Sequence, residues 1–495
     1  MADGNRRILA GLAAAACAAA GAAALASEFD PLKELHDRER VVTAPWTASP
    51  PGIDGAITPG EWDCAAALTG FHSATEGSVL PDGPVLFIAY GEKEVFVLAV
   101  TPQDPSRPLS ARVKDRDIGE LVSDDSIELF LSPDLKNVFQ FITNPAGVTA
   151  DLKNDSLHWN GEFAAAAGEA DASTLPAEWG LAPGKYWFAE FAIPYETLEA
   201  RRPAPGDRWS INAAVNRAGP WAALNERRDK LFSHIPDHAS LIFLAPGDPY
   251  IQLTALGAFH YGEPAPAGRA FNPGDAPARI HLDLDMRKEG SRTTEYAYRT
   301  IIGAIKSFST VLEVPPSSSR PFSFPNEARD TAIDRLAVRL AVAGEDGKPA
   351  RDLVLRRGRV QVLPPLVVRI GNVPSRRYSV LSADTSGLKS RMDGRAVTVR
   401  AAILDPEGKE LLAREAAGPA GEHELRLDWS NLAPGEYRCT VRALSGQGEE
   451  LALADASLRV PDRPVWLTST IYDDYGKTDR VPLPWRPVRM EGRTL

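Results

Sequence analysis

Short apolar runs closed by turns recur along most of this chain, and few of them repeat with a helical period. VLFIAY at 85–90, a GEKE turn at 91–94 and VFVLAV at 95–100 read as a β-hairpin. At 126–131 the residues alternate: Ile127, Leu129 and Leu131 share one face, and Ser126, Glu128 and Phe130 the other. FQFITN at 139–144 runs into a Pro145-Ala146-Gly147 turn, and 186–194 and 209–217 add further strands. Among 495 residues, 39 Gly and 41 Pro supply the turns, without a collagen period. The pattern predicts an all-β protein: an N-terminal antiparallel β-sandwich over 41–246, followed by two smaller Ig-like β-sandwiches at 247–365 and 366–461. In the second region, 279–287, 295–304, 308–314, 334–342 and 353–363 are strand candidates. In the third they are 397–404, 409–414, 424–429 and 436–444. Residues 462–495 hold little regular pattern and read as a linker-like tail.

The N-terminus has another character. Arg6-Arg7 precedes an apolar run from Ile8 to about Ala20, and Ala24-Leu25-Ala26 resembles a signal-peptidase site. Residues 1–26 are therefore expected to be a secretory signal, giving a secreted or periplasmic protein. Lipidation at Cys17 is the alternative. A short helix is expected at 30–39, with Asp30 as N-cap and Pro31 in the first turn. No later apolar run approaches the length of a transmembrane helix. The net charge of −11 argues against a nucleic-acid partner, because phosphate binding needs clustered Lys and Arg. Three cysteines exclude a disulfide scaffold.

None of the catalytic signatures G-x-S-x-G, H-E-x-x-H, GxxxxGK[ST] or CxxC is present. His234 and His238 are four apart, but Pro236 between them breaks the helix that would align them for a metal. Asp124-Asp125 precedes a strand, where two carboxylates either help hold a structural Ca²⁺ or cap the strand's start. The more informative signal is aromatic. Trp46, Trp62, Trp159, Trp179, Trp187, Trp209 and Trp221 all precede residue 247, seven of the ten tryptophans. Indole rings stack on the C–H faces of sugars, and planar amides or guanidinium groups meet the hydroxyls. Trp187 and Trp209 sit inside apolar strands and are expected in the core. Trp159 and Trp221 are flanked by turn-forming residues and are expected in loops. Alternation puts Gln140 and Asn144 on one strand face, and Ser210, Asn212 and Asn216 on another.

Residues 41–246 resemble the family 9 carbohydrate-binding module, a DOMON-like β-sandwich. The matching pieces are Ile53-Asp54-Gly55 with Gly60-Glu61-Trp62, the 95–100 strand, and Asp124-Asp125-Ser126-Ile127-Glu128. Phe139-Gln140-Phe141, Trp159-Asn160-Gly161, the 187–194 strand ending in Ile193-Pro194, Trp209-Ser210-Ile211-Asn212 with Arg217, and Ser233-His234-Ile235-Pro236 follow in the family's order. Where the family often carries an aromatic before the Asp-Asp pair, this chain has Glu120-Leu121-Val122. The resemblance implies sugar binding between aromatic side chains, sometimes with structural calcium. It implies Trp159 for stacking, Gln140, Asn144, Asn212 and Arg217 for hydroxyls, and Glu190 as a support of the fold. The tail motifs Pro464-Val465-Trp466-Leu467, Gly476–Pro482 and Pro484-Trp485-Arg486 resemble the entry segment of proteins related to glycoside hydrolase family 123.

The resulting expectation is a secreted carbohydrate-binding protein of glycan catabolism, the non-catalytic front section of a glycoside hydrolase-like architecture. Its ligand would be a polysaccharide or oligosaccharide, and a separate hydrolase is a candidate partner. A glycoside hydrolase acting alone, and a structural or adhesion protein of the cell surface, are the alternatives.

Overall fold

The computed structural model describes residues 39–104, 107–217, 221–226, 231–287, 306–325, 333–392 and 394–462. The signal-like segment, nearly all of the expected 30–39 helix, the strand expected at 295–304 and the tail beyond 462 lie outside them. The architecture is all-β, as the turn-bounded runs predict. No helix among the described residues is long and apolar enough to cross a membrane. The chain forms two compact units that divide between Val362 and Leu363.

The first unit contains two sheets. One runs in the order Lys306–Val314, Ala278–Arg287, Arg335–Ala343, Pro349–Arg359, Val41–Ala44, Ala239–Phe243, Arg208–Asn216, Ser126–Ser132, Phe139–Thr143 and Thr149–Lys153. The other runs Ser318–Ser323, Glu263–Asn272, Tyr250–Ala258, Ala66–Leu68, Val85–Tyr90, Glu94–Pro102, Lys185–Pro194 and Ala164–Asp171. Most neighbours are antiparallel. Val41–Ala44 with Ala239–Phe243, and Ala66–Leu68 with Tyr250–Ala258, are parallel.

Strand alternation explains why the sheets stack. Ile127, Leu129 and Leu131 meet Phe139 and Phe141, Trp209 and Ile211, and Trp187, Ala189 and Phe191 of the opposite sheet in one buried core. Each fully buried aromatic or branched side chain there contributes about 1.5–3 kcal/mol. The second sheet is apolar on its other face too, where Phe87, Leu98 and Phe188 pack on Trp62 and Trp179. That double burial is why VLFIAY and VFVLAV are continuous apolar runs. Glu190 is a fully buried carboxylate of this layer. It accepts the Gly55 N–H at 2.9 Å and the Trp62 Nε1–H at 3.2 Å. Burial lifts its pKa to about 7 against the pull of those two donors.

The strands between 250 and 359 continue both sheets. Val41 pairs with Leu355 on one of them, and Gln252 and Leu253 pair with Ala67 and Leu68 on the other. A second core of Ile251, Leu253, Ile280, Leu282, Leu336 and Val338 lies there, and Ala66, Val79 and Leu244 also belong to it. Tyr250–Ala258 also pairs with Glu263–Asn272, where Gly268 permits the close approach: a Cβ there would lie 1.9 Å from the Gln252 carbonyl oxygen.

The second unit has a three-stranded sheet, Val367–Val373, Tyr378–Asp384 and Glu422–Asp428, and a four-stranded sheet, Glu410–Gly418, Val397–Leu404, Gly435–Ser445 and Glu450–Val460. Glu422–Asp428 alternates strictly, with His423, Leu425 and Leu427 inward. Trp429 is buried beside them and donates its indole N–H to Ser379 Oγ at 2.8 Å.

Candidate ligand-binding face

The first sheet turns Ile127, Leu129, Ile211 and Ala213 toward the core, so Ser126, Glu128, Phe130, Ser132, Gln140, Ser210, Asn212 and Asn216 point away from it. The register places Phe130 between Gln140 and Asn212, and Glu128 between Ile142 and Ala214. This polar face is not solvated. Glu128, Asn212 and Asn216 are at most 4% exposed. Trp221, Phe232 and Ile235 pack over Phe130, Val138 and Ala214 and cover it. Alternation locates Gln140, Asn212 and Asn216 on this face, but it cannot foresee that a following segment folds back over them.

Under that cover the polar groups are linked. Glu128 Oε2 accepts the Gln140 Nε2–H at 2.8 Å. Its Oε1 is buried without a hydrogen-bond partner, as are Ser126 Oγ and Ser132 Oγ. Burial pushes the Glu128 pKa to about 8, against the Gln140 bond, which lowers it. Asn212 donates to the Phe232 carbonyl at 3.0 Å, and its Oδ1 accepts the Asn225 Nδ2–H at 3.2 Å. Phe232 in turn lies 5.4 Å from the Trp221 ring, tilted by 36°. His238 Nε2 pairs with the Phe232 carbonyl at 2.9 Å, so Nδ1 is left to accept from Ser210 Oγ at 3.1 Å. Burial holds this ring neutral, with a pKa near 4.

The remaining expected residues are placed elsewhere. Asn144 is fully buried. Its Nδ2–H groups reach Asp124 Oδ2 and the Val113 carbonyl, and its Oδ1 accepts from Ala146 and Val148. Those bonds account for its hydrogen-bonding atoms, so Asn144 closes a turn. Trp159 stands edge-on to Phe139 at 5.2 Å and to Phe141 at 6.3 Å. Those rings point into the core, so Trp159 lies on the opposite side of the sheet from Gln140. One sugar ring cannot stack on Trp159 and hydrogen-bond Gln140. The Trp159 loop is also pinned, because Asp151 accepts the Gly161 N–H at 2.7 Å and the Arg116 guanidinium at 2.6 Å. Arg217 follows the last residue of its strand. It lines a cleft of about 1030 Å³ with Gln103, Asp104, Arg107 and Lys185, where burial lowers its pKa.

Asp124 and Asp125 are enclosed by donors. Asp124 accepts from the backbone N–H groups of Arg112 and Val113, each at 2.9 Å, and from Ser110 and Asn144. Burial alone would raise its pKa, but these donors outweigh it and hold the group at about 2. Asp125 takes the Arg107 guanidinium bidentately, at 2.8 and 3.2 Å, and the Ser110 N–H at 2.6 Å. A calcium ion at this pair would have to displace N–H donors from every carboxylate oxygen.

Sequence reasoning missed Glu128 as a site residue. The available signal was a carboxylate on the amide-bearing face of a strand whose other side is apolar. The two carboxyls with the most strongly raised pKa values, Glu128 and Glu190, lie on different sheets, each facing away from the shared core. They cannot flank one glycosidic bond.

No known family model matches the sequence, and no curated protein matches it. Solved structures similar to this chain include a candidate carbohydrate-binding protein from Bacteroides uniformis, at 14% identity and TM-score 0.30, covering 42% of this chain and 100% of that one. They also include a family 9 carbohydrate-binding module from Caldicellulosiruptor kristjanssonii in complex with glucose, at 13% identity and TM-score 0.31, covering 42% and 98%. A tetra-tandem repeat from the extending region of a large adhesion protein covers 85% of this chain and 100% of its own, at 12% identity and TM-score 0.17. At these values the likenesses carry no functional argument.

Proposed function

We propose that this protein binds saccharides on the outer face of its first sheet when the Trp221–Phe232–Ile235 cover moves aside, with Glu128 and Gln140 meeting hydroxyl groups and Trp221, released from the cover, supplying the stacking surface. The observation that carries this reading is the buried Glu128 Oε1 without a partner. An ionised carboxylate there needs a donor, and a protonated one needs an acceptor. A sugar hydroxyl is both, so it satisfies the group in either state. Water meets the same need, so ligand binding itself is the test. The N-terminal signal-like segment supports a secreted protein, and the tail motifs support an association with glycoside hydrolases. The division of Glu128 and Glu190 between two sheets favours binding over hydrolysis by that pair.

The test is calorimetric titration of the full chain with a panel of neutral and acidic oligosaccharides, with Glu128→Ala measured beside it. Binding by the wild type that is lost in the variant is the expected result. No binding to any member of the panel at millimolar sugar removes the proposal.

A further inference from the structure

Arg356 lies on the Pro349–Arg359 strand, far in sequence from the candidate face, and is only 3% exposed. Its partners are all oxygen acceptors of the first half of the unit. Nε–H donates to the Thr69 carbonyl at 3.2 Å, and Nη2 donates to the Gly70 carbonyl at 2.9 Å and to the Leu224 carbonyl. Nη1 donates to Asn225 Oδ1 at 3.1 Å. No carboxylate is among these partners.

The chemistry of these groups gives the contact a direction. A guanidinium has donors and no acceptor, so Asn225 must turn its oxygen toward Arg356. Its Nδ2–H groups then face the other way, toward the Ile211 carbonyl and Asn212 Oδ1, both at 3.2 Å. Asn212 must therefore present oxygen to Asn225 and nitrogen to the Phe232 carbonyl. Flipping either amide would set two donors or two acceptors against each other. Phe232 carries the ring that rests on Trp221. One guanidinium thus fixes the orientation of two amides in succession, and the second ends at the backbone of the aromatic cover.

We propose that Arg356 is a positioning residue for the ligand face, acting through Asn225 to set the hydrogen-bonding polarity of Asn212 and the seat of Phe232 against Trp221. This rests on the saccharide-binding reading for its consequence, but the relay itself can be measured without any ligand. On this reading the strands between 250 and 359 belong to the binding module.

Asn225→Asp is the sharpest variant. It keeps an acceptor for Arg356 and supplies the guanidinium with a counterion, yet it removes the donors that Asn212 and Ile211 receive. Arg356→Lys is the second, because a compact ammonium cannot span four acceptors. Full chains are labelled with 5-fluorotryptophan, and the Trp221 signal is assigned by Trp221→Phe. Both variants are expected to fold by circular dichroism, to shift the Trp221 fluorine resonance and to weaken oligosaccharide binding at least tenfold. Leu282→Ala, in the second core, serves as a control that destabilises without touching the relay, and it should leave the resonance in place. An unmoved Trp221 signal in whichever variant folds overturns the relay, as does an equal shift in the control. Failure of both variants to fold makes Arg356 a structural residue only and also counts against the proposal. If the wild type binds no saccharide while the resonance shifts as expected, the relay stands and the functional reading falls.

Discussion

Glu128 accepts one hydrogen bond, from Gln140 Nε2–H at 2.8 Å, and its second carboxyl oxygen is buried with no partner. Its folded-state pKa of about 8 lies above the ordinary value of 4.5. The folded protein therefore holds the proton more tightly than the unfolded chain does. Below pH 4.5 both states are protonated and ionisation of the site contributes no destabilisation. Between pH 4.5 and 8 stability should fall as pH rises, and above 8 the loss is complete, on the order of 5 kcal/mol at most. Glu128→Gln removes the titration and keeps a side-chain oxygen for Gln140. The variant should match the wild type near pH 4 and exceed it in melting temperature at pH 8. Parallel melting curves across that range would show that the carboxyl is not buried as described.

Trp221 and Trp159 should separate in a substitution experiment. Trp221 lies on the cover of the polar face, tilted on Phe232. Trp159 caps the core edge-on to Phe139 and Phe141. Trp221→Ala should weaken saccharide binding by about 1–3 kcal/mol, in proportion to the aromatic area lost. Trp159→Ala should instead lower stability by about 2–4 kcal/mol and leave affinity nearly unchanged. Thermal melts and titrations on the same samples decide it. An affinity loss confined to Trp159→Ala would return that residue to the site.

What was legible in the sequence follows from which physics is local. Strand alternation is local, so Ser126–Ser132, Phe139–Thr143 and Arg208–Asn216 and their inward faces could be read directly, as could the core positions of Trp187 and Trp209. Glu263–Asn272 could not be, because Pro264 and Pro266 argue against a strand. The structure admits them where the pairing with Tyr250–Ala258 shifts register between Leu253 and Gly257. Ala164–Asp171 was hidden by its alanines, which carry little strand signal. The site was harder still. Burial of Asn212 depends on Phe232, some twenty positions later, and its orientation depends on Arg356. Neither relationship leaves a pattern in the residues around Asn212. Asn144 reads as a ligand amide for the same reason: its partners Val113 and Asp124 lie on a segment that spacing alone does not bring near.

Asp124 gives a prediction of the opposite sign. Its folded pKa of about 2 is below the ordinary 3.8, so the carboxylate stabilises the fold above pH 3.8, and this is lost as pH falls through about 2. Asp124→Asn should cost about 2 kcal/mol at neutral pH and less in acid, and more if the Arg112 and Val113 N–H groups lose their shared acceptor. Because those donors occupy its oxygens, a chelator should leave the melting temperature of the wild type unchanged. A fall of several degrees in a chelator, restored by added Ca²⁺, would establish a calcium ion at the Asp124–Asp125 pair and a rearranged 107–113 segment.

Ending the chain at residue 246 should destroy the stability of the sandwich that precedes it. Val41–Ala44 would lose its pairing at Leu355, and Ala66–Leu68 would lose its pairing with Tyr250–Ala258. Both sheets would then carry a newly exposed edge, which invites association between chains. Ala66, Val79 and Leu244 would be stripped of the core they share with Leu253, Leu282 and Val338. The carbonyl groups of Thr69, Gly70 and Leu224 would lose the donors of Arg356. Water can replace those donors once the covering strands are gone, but each large apolar side chain returned to solvent costs about 1.5–3 kcal/mol, so with the lost strand pairing the deficit approaches the lower end of an ordinary domain's stability. A chain ending at 362 keeps every one of these contacts. It should melt as a single cooperative unit and resist limited proteolysis, while the chain ending at 246 should aggregate or melt more than about 10 °C lower. Equal melting temperatures for the two would mean that residues 41–246 form an independent domain after all.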